Sequence, residues 1–160
     1  MIGLDKPASS EFSAVEREHR KRLWWSSYCL DKNTATEMGW KPTYDLPNLG
    51  LHYPSTNGLS QEDLLEFHDP GFLTAQVKLT ELKLSITETA YRLKSGGQVD
   101  NNEIRACLST LRQWESELPP NVVQKLPSGI PKEMSKLRTV RTSSSLFLKY
   151  NHVGASLNLL

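Results

Sequence analysis

Glu16-Arg17-Glu18-His19-Arg20-Lys21-Arg22-Leu23-Trp24-Trp25-Ser26-Ser27-Tyr28-Cys29-Leu30-Asp31 is the stretch whose reading decides the fold. It contains neither glycine nor proline, so nothing in it interrupts a helix. Ser13 followed three residues later by Glu16 is a capping box, which predicts the helix start, and Gly39 predicts its stop after Met38. Glu16 with Arg20 and Glu18 with Arg22 are acid-first pairs at helical spacing, each contributing about 0.2–0.5 kcal/mol. Leu23, Ser27, Leu30 and Thr34 fall on one helical row; Trp24, Tyr28 and Asp31 fall on the adjacent one.

Working outward, residues 1–12 read as a lead-in to this helix. Residues 39–58 carry Pro42, Pro47 and Pro54 among glycines and asparagines, so they read as an extended connector. Ser60 with Asp63 predicts a short helix that stops before Asp69-Pro70. A long amphipathic helix is predicted from Phe72, Ala75, Leu79, Leu82, Ile86 and Leu93, and Gly96-Gly97 ends it. Asp100 with Glu103 opens the next helix. Its stripe is Ile104, Cys107, Leu108, Leu111, Trp114 and Leu118, and Pro119-Pro120 closes it. After a loop over 121–131, a last helical segment is predicted from Lys132 toward Tyr150. No alternating apolar-polar run is long enough for a strand. The fold class expected is therefore all-α: an irregular array of about five helices in one partial domain spanning 1–160. The apolar ending Ser156-Leu157-Asn158-Leu159-Leu160 stops in mid-pattern, which reads as a piece of something longer or a shortened gene product.

The 160 residues carry a net charge of +1 with 23% charged residues, so no overall field draws the chain to nucleic acid or to a membrane surface. At 38% apolar residues the composition is too hydrophobic for disorder, and no apolar run approaches the roughly 20 residues of a spanning helix. Cys29 and Cys107 are too few for a disulfide framework, and that usage fits a reducing compartment.

Three segments resemble the regulatory, or middle homology, region of fungal zinc-cluster transcription factors. The first is the opening helix: Glu18, the basic run Arg20-Lys21-Arg22, Leu23, the tandem Trp24-Trp25, then Asp31-Lys32. The second is Gly39-Trp40-Lys41-Pro42, similar to a glycine-basic-proline element with Trp40 interposed, with Tyr53-Pro54 standing where the family carries leucine-proline. The third is Leu111-Arg112-Gln113-Trp114-Glu115-Ser116-Glu117-Leu118-Pro119, similar to a leucine-tryptophan-leucine-proline helix end. Leu146 to Asn151 then resembles the start of the next core helix. The likeness spans the chain from about Gly3 onward.

The resemblance implies a non-enzymatic, all-helical regulatory region acting in DNA-templated transcription in the nucleus. Arg22, Trp24, Trp25, Asp31, Gly39, Pro42, Trp114 and Pro119 would be its signature residues, in structural roles. Its implied partners are transcription machinery or co-regulators and a small-molecule effector held between helices. In full-length relatives such a region follows a six-cysteine, two-zinc DNA-binding motif. Two distant cysteines cannot supply those thiolates, so DNA contact and zinc are expected only of that motif. The competing reading is a stand-alone helical protein-interaction or small-molecule-sensing module without DNA binding.

Individual residues weigh toward structure. Glu16 and Glu18 interleave with Arg17, Arg20, Lys21 and Arg22, so this cluster reads as a solvated, internally paired helix face rather than a phosphate patch or import signal. Trp24 and Trp25 point about 100° apart, so one flat ligand cannot use both, and they read as core anchors. Asp31 follows an apolar run and needs a partner: Lys41, a basic residue of a neighbouring helix, or the backbone of the connector. An enzyme reading would pair Asp31 with a histidine, but His19, His52, His68 and His152 show no catalytic or metal spacing. The Phe72–Leu93 stripe reads as core, with part of it expected to lack cover and favour association.

Overall fold

The computed structural model describes residues 9–44, 52–67 and 71–119, with the side chains at 93 and 94 excepted. Every regular element among them is helical: α1 (Ala14–Met38), the single turn α2 (Gln61–Leu64), α3 (Phe72–Lys94) and α4 (Asn101–Ser116). The expected helix from Lys132 toward Tyr150, the Leu146–Asn151 segment, the lead-in over 1–8, His68 and Leu93's place in its stripe lie outside the described residues or side chains. No helix is long and apolar enough to cross a membrane, among the described residues.

The helix ends follow the local chemistry. Ser13 and Glu16 close a reciprocal capping box at the start of α1: the Glu16 amide donates to the Ser13 hydroxyl at 3.2 Å, and Ser13 N–H donates to the Glu16 carboxylate at 2.8 Å. Those bonds hold the Glu16 carboxyl below the usual glutamate range. Gly39 ends the helix at φ 67°, left-handed backbone that an L side chain enters only with strain. Ser60 and Asp63 form the second box. At α4 the detail differs from expectation. Asp100 accepts from the Asn102 amide, while the Glu103 carboxylate leaves the box and takes Arg92 Nη2 of α3 at 2.6 Å. Between α3 and α4, a Cβ on Gly97 would lie 2.8 Å from the Arg92 carbonyl oxygen, so this close turn has no room for a side chain.

The chain divides into two compact units, Met1–Val77 and Lys78–Leu160. The first is organised around Trp24, Trp25, Tyr28 and Cys29 of α1, with Leu73 and Val77 of the first turns of α3. Tyr28, Cys29 and Val77 are essentially sealed from water. In the second unit Leu79, Leu82 and Ile86 of α3 and Leu111 and Trp114 of α4 are buried. The α3 stripe is thus covered at Ala75, Leu79, Leu82 and Ile86 and half-covered at Phe72, while the Leu93 side chain lies outside the described residues. Exposed large apolar side chains lie on α1 and the connector, and also at Leu65 after α2 and Tyr91 on α3. Leu23 is 55%, Leu30 71% and Trp40 68% exposed.

Candidate functional site: an aromatic helix and the connector it holds

Five of the eight signature residues lie on or at the end of α1, and Pro42 follows directly. The two indoles are both buried, and their rings meet edge-on at 90° with centroids 4.9 Å apart, as their adjacent helical positions require. Trp24 stacks on Tyr28 at 5.3 Å, one helical turn later. Trp25 meets the Tyr28 ring on edge and the Tyr53 ring of the connector at 5.1 Å, and its indole N–H donates to the His52 carbonyl at 3.2 Å. A buried indole needs such an acceptor, and the connector supplies it.

Asp31 is where the connector is tied down first. Its carboxylate accepts from the Thr43 amide, at 2.9 Å through Oδ2, and from the Tyr44 amide at 3.0 Å. Of the partners expected for it, the backbone cap is the one seen, rather than the Lys41 ammonium. Desolvation pushes its carboxyl upward, but the Tyr44 and Thr43 donors and the Lys32 charge together outweigh that and hold it below the usual aspartate value. Lys32 completes the grip from the next position. It is 8% exposed, its ammonium donates to the Tyr44 carbonyl, and it lies 5.3 Å from the centre of the Tyr28 ring. Gly39 turns the chain back toward α1. Pro42, half-buried with its φ fixed, precedes the two gripped amides.

Glu18 is the correction to the picture of a solvated charged face. It is buried to 3% exposure. Lys21 Nζ at 2.7 Å, Arg22 Nε at 3.0 Å and the Ser55 amide at 2.9 Å all donate to it. Arg22 also lays its guanidinium 4.5 Å from the centre of the Phe67 ring. A desolvated carboxylate is tolerated here because two cations and an amide meet it. The helical pairing with Arg22 was legible in the sequence. The burial was not, because it is created by the connector returning at Ser55. Lys32 was missed for the same reason.

Trp114, buried, and Pro119, half-buried, belong to the second unit. Trp114 forms part of the wall of a groove of about 500 Å³ between α3 and α4. Leu82, Ser85, Cys107 and Thr110 also line it, and Lys78 bonded to Glu117 at 3.4 Å closes one end. Gln113 first, then Lys78, hold the Glu117 carboxyl below the usual range. Cys29 and Cys107 are free thiols.

At Asp31 the partners are backbone amides rather than a histidine. A histidine–carboxylate contact does occur, His19 Nε2 to Glu66 at 2.8 Å, but both side chains are about half exposed and Asp31 takes no part in it. Among the described residues no cluster of three or more His, Cys, Asp or Glu could hold a metal. What the site does chemically is hold: charged and indole side chains of one helix fix the backbone of the segment that follows it.

A helix with a buried tandem tryptophan, tied to its own connector, organises the first helical unit. Residues 2–119 match the fungal specific transcription factor domain, and the chain belongs to that family. It is 32% identical over 69 residues to the negative regulator of pleiotropic drug resistance STB5 of Candida glabrata, covering 41% of this chain and 7% of that protein. It is 23% identical to the Fusaridione A cluster transcription factor fsdR of Fusarium heterosporum, covering 69% of this chain and 22% of that one. It is 25% identical to an ABC-transporter-regulating transcription factor of Aspergillus fumigatus, covering 74% and 14% respectively. The chain thus spans less than a quarter of the length of each of these relatives. No solved structure matches.

Proposed function

We propose that this chain serves as the regulatory region of a nuclear fungal transcription factor, transmitting a signal to transcription machinery or co-regulators without chemistry of its own. The observation that carries the reading is the family match over 2–119. The burial of Trp24 and Trp25 and the capped state of Asp31 support a structural role for the signature residues. DNA contact and zinc belong to the six-cysteine motif of full-length relatives, and this chain itself carries no cofactor. Fusing the chain to an unrelated DNA-binding domain in a fungal host, with a reporter downstream, tests the reading. A change in reporter output relative to the bare DNA-binding domain is expected. An output equal to that of the bare domain, with the fusion present at normal level, rejects it.

A small-molecule effector is the finer part of the proposal, and the groove between α3 and α4 is its place. About 500 Å³ lies within the range of pockets that enclose small ligands. Leu82 and Trp114 give it an apolar wall, and Ser85, Thr110 and the Lys78–Glu117 pair give it polar edges. A thermal-shift screen of metabolites tests this. A stabilising compound whose effect disappears in Trp114→Ala or Leu82→Ala supports it, and the absence of any reproducible shift counts against it.

A further inference from the structure

Two polar grips hold the connector on α1, and they differ in kind. At residues 52–55 the hold is deep. Pro54 is buried, its carbonyl accepts from the Thr74 hydroxyl at 3.0 Å, Tyr53 packs on Trp25, and Ser55 N–H donates to buried Glu18. At residues 40–44 almost nothing apolar is buried. Trp40, Lys41, Thr43 and Tyr44 are exposed and Pro42 is half-buried; Trp40 N–H donates to the Ala35 carbonyl at 2.8 Å as part of the α1 cap, and beyond it the hold consists of the Asp31 and Lys32 hydrogen bonds to the Thr43 and Tyr44 backbone. Segments fixed by hydrogen bonds, with little buried apolar surface, open at lower cost than the core they lie on.

We propose that residues 41–44 form a releasable strap: they detach from α1 as a unit smaller than the helical core, while the capped end at Trp40 and the 52–55 end stay anchored. In the closed state the strap covers Lys32, whose ammonium lies against Tyr28, and its backbone groups hydrogen-bond to the adjacent Asp31 and Lys32 charges. In the open state these two charges face solvent beside the aromatic cluster, with both helices and the Glu18 grip intact. The device is built into α1 by two adjacent residues of opposite charge. One takes the amides of the returning chain, and the other gives a proton donor to its carbonyl. This inference stands apart from the transcription reading. Amide exchange tests the strap, and the reporter tests regulation.

The test is amide hydrogen exchange on the full 160-residue chain, as wild type and as Asp31→Asn. In the wild type the Thr43 and Tyr44 amides are expected to exchange at least about tenfold faster than the amides of α1 around Tyr28, showing sub-global opening. Asp31→Asn is expected to accelerate Thr43 and Tyr44 by a further factor of about ten, from the loss of a charged acceptor. In the variant, as in the wild type, the Ser55 amide and the centre of α1 should stay at least about tenfold slower than Thr43 and Tyr44. Equal protection of Thr43, Tyr44 and the α1 core in the wild type overturns the proposal. So does a variant in which Thr43 and Tyr44 are not accelerated, or in which the Ser55 and Tyr28 amides exchange as fast as they do. Should Asp31→Asn not fold, the wild-type comparison still decides, and Lys32→Met, which removes the second grip and keeps the aliphatic stem, replaces it.

Discussion

Asp31 carries the clearest pH signature. Its carboxyl titrates below the ordinary aspartate value in the folded chain. A depressed folded value means that the stabilisation is fully present above the unfolded value of about 3.9 and is lost as pH falls through the folded one. Asp31→Asn should therefore lower stability by about 1–2 kcal/mol at pH 7, and the gap to wild type should close as pH drops below about 4. Urea titrations of both proteins at pH 7 and near pH 3 measure it, and a gap that persists unchanged at the lower pH contradicts the cap. Glu18 sits in a different regime. Replacing it with Ala leaves Arg22 and Lys21 without their buried acceptor and Ser55 N–H without its partner. The expected cost is about 3 kcal/mol, at the lower end for broken buried pairs because Lys21 is still 23% exposed. A loss under 1 kcal/mol in the same titration would place Glu18 in water after all. The sequence displayed Glu18 and Arg22 as a helical pair but gave no sign of burial, since the group that shuts out water comes from residue 55.

At the scale of elements, the helix boundaries were legible because they depend on neighbours in sequence. Ser13 with Glu16, Ser60 with Asp63 and Gly39 each complete a local hydrogen-bonding or backbone requirement, and each appears where that chemistry puts it. Glu103 is the instructive exception. A capping carboxylate competes with any cation within reach, and Arg92, brought close by the tight turn at Gly96-Gly97, takes it. Gly39 offers a clean test. A Cβ there meets nothing within 4 Å, so Gly39→Ala pays only for the left-handed backbone, about 1 kcal/mol, and Gly39→Asn should recover part of it. Thermal unfolding of the two variants measures the difference. A loss of 3 kcal/mol or more with Ala would mean the turn is constrained by contacts beyond its φ.

Across the molecule, the distribution of burial separates residues that look alike on paper. Trp25→Ala should cost about 3–5 kcal/mol, because the ring fills a packed cluster and its N–H answers a carbonyl. Leu23→Gln and Leu30→Gln, on the opposite face of the same helix, should each change stability by less than about 0.5 kcal/mol. Circular-dichroism melts of the three variants test the contrast, and a Leu30→Gln variant as damaged as Trp25→Ala would show that the outer row is buried. The sequence by itself determined that the described residues are helical, where α1 begins and ends, and that its paired indoles are buried. Capping, glycine and proline effects and the 3.6-residue period act within a few residues of their source, which is why they could be read there. Only the tertiary structure decided which row of α1 faces the core, that Lys32 and Glu18 lose their water, and that Asp31 caps amides rather than meeting Lys41. Those outcomes depend on where the connector and α3 return to the helix, and burial is a property of that closure, not of any one segment.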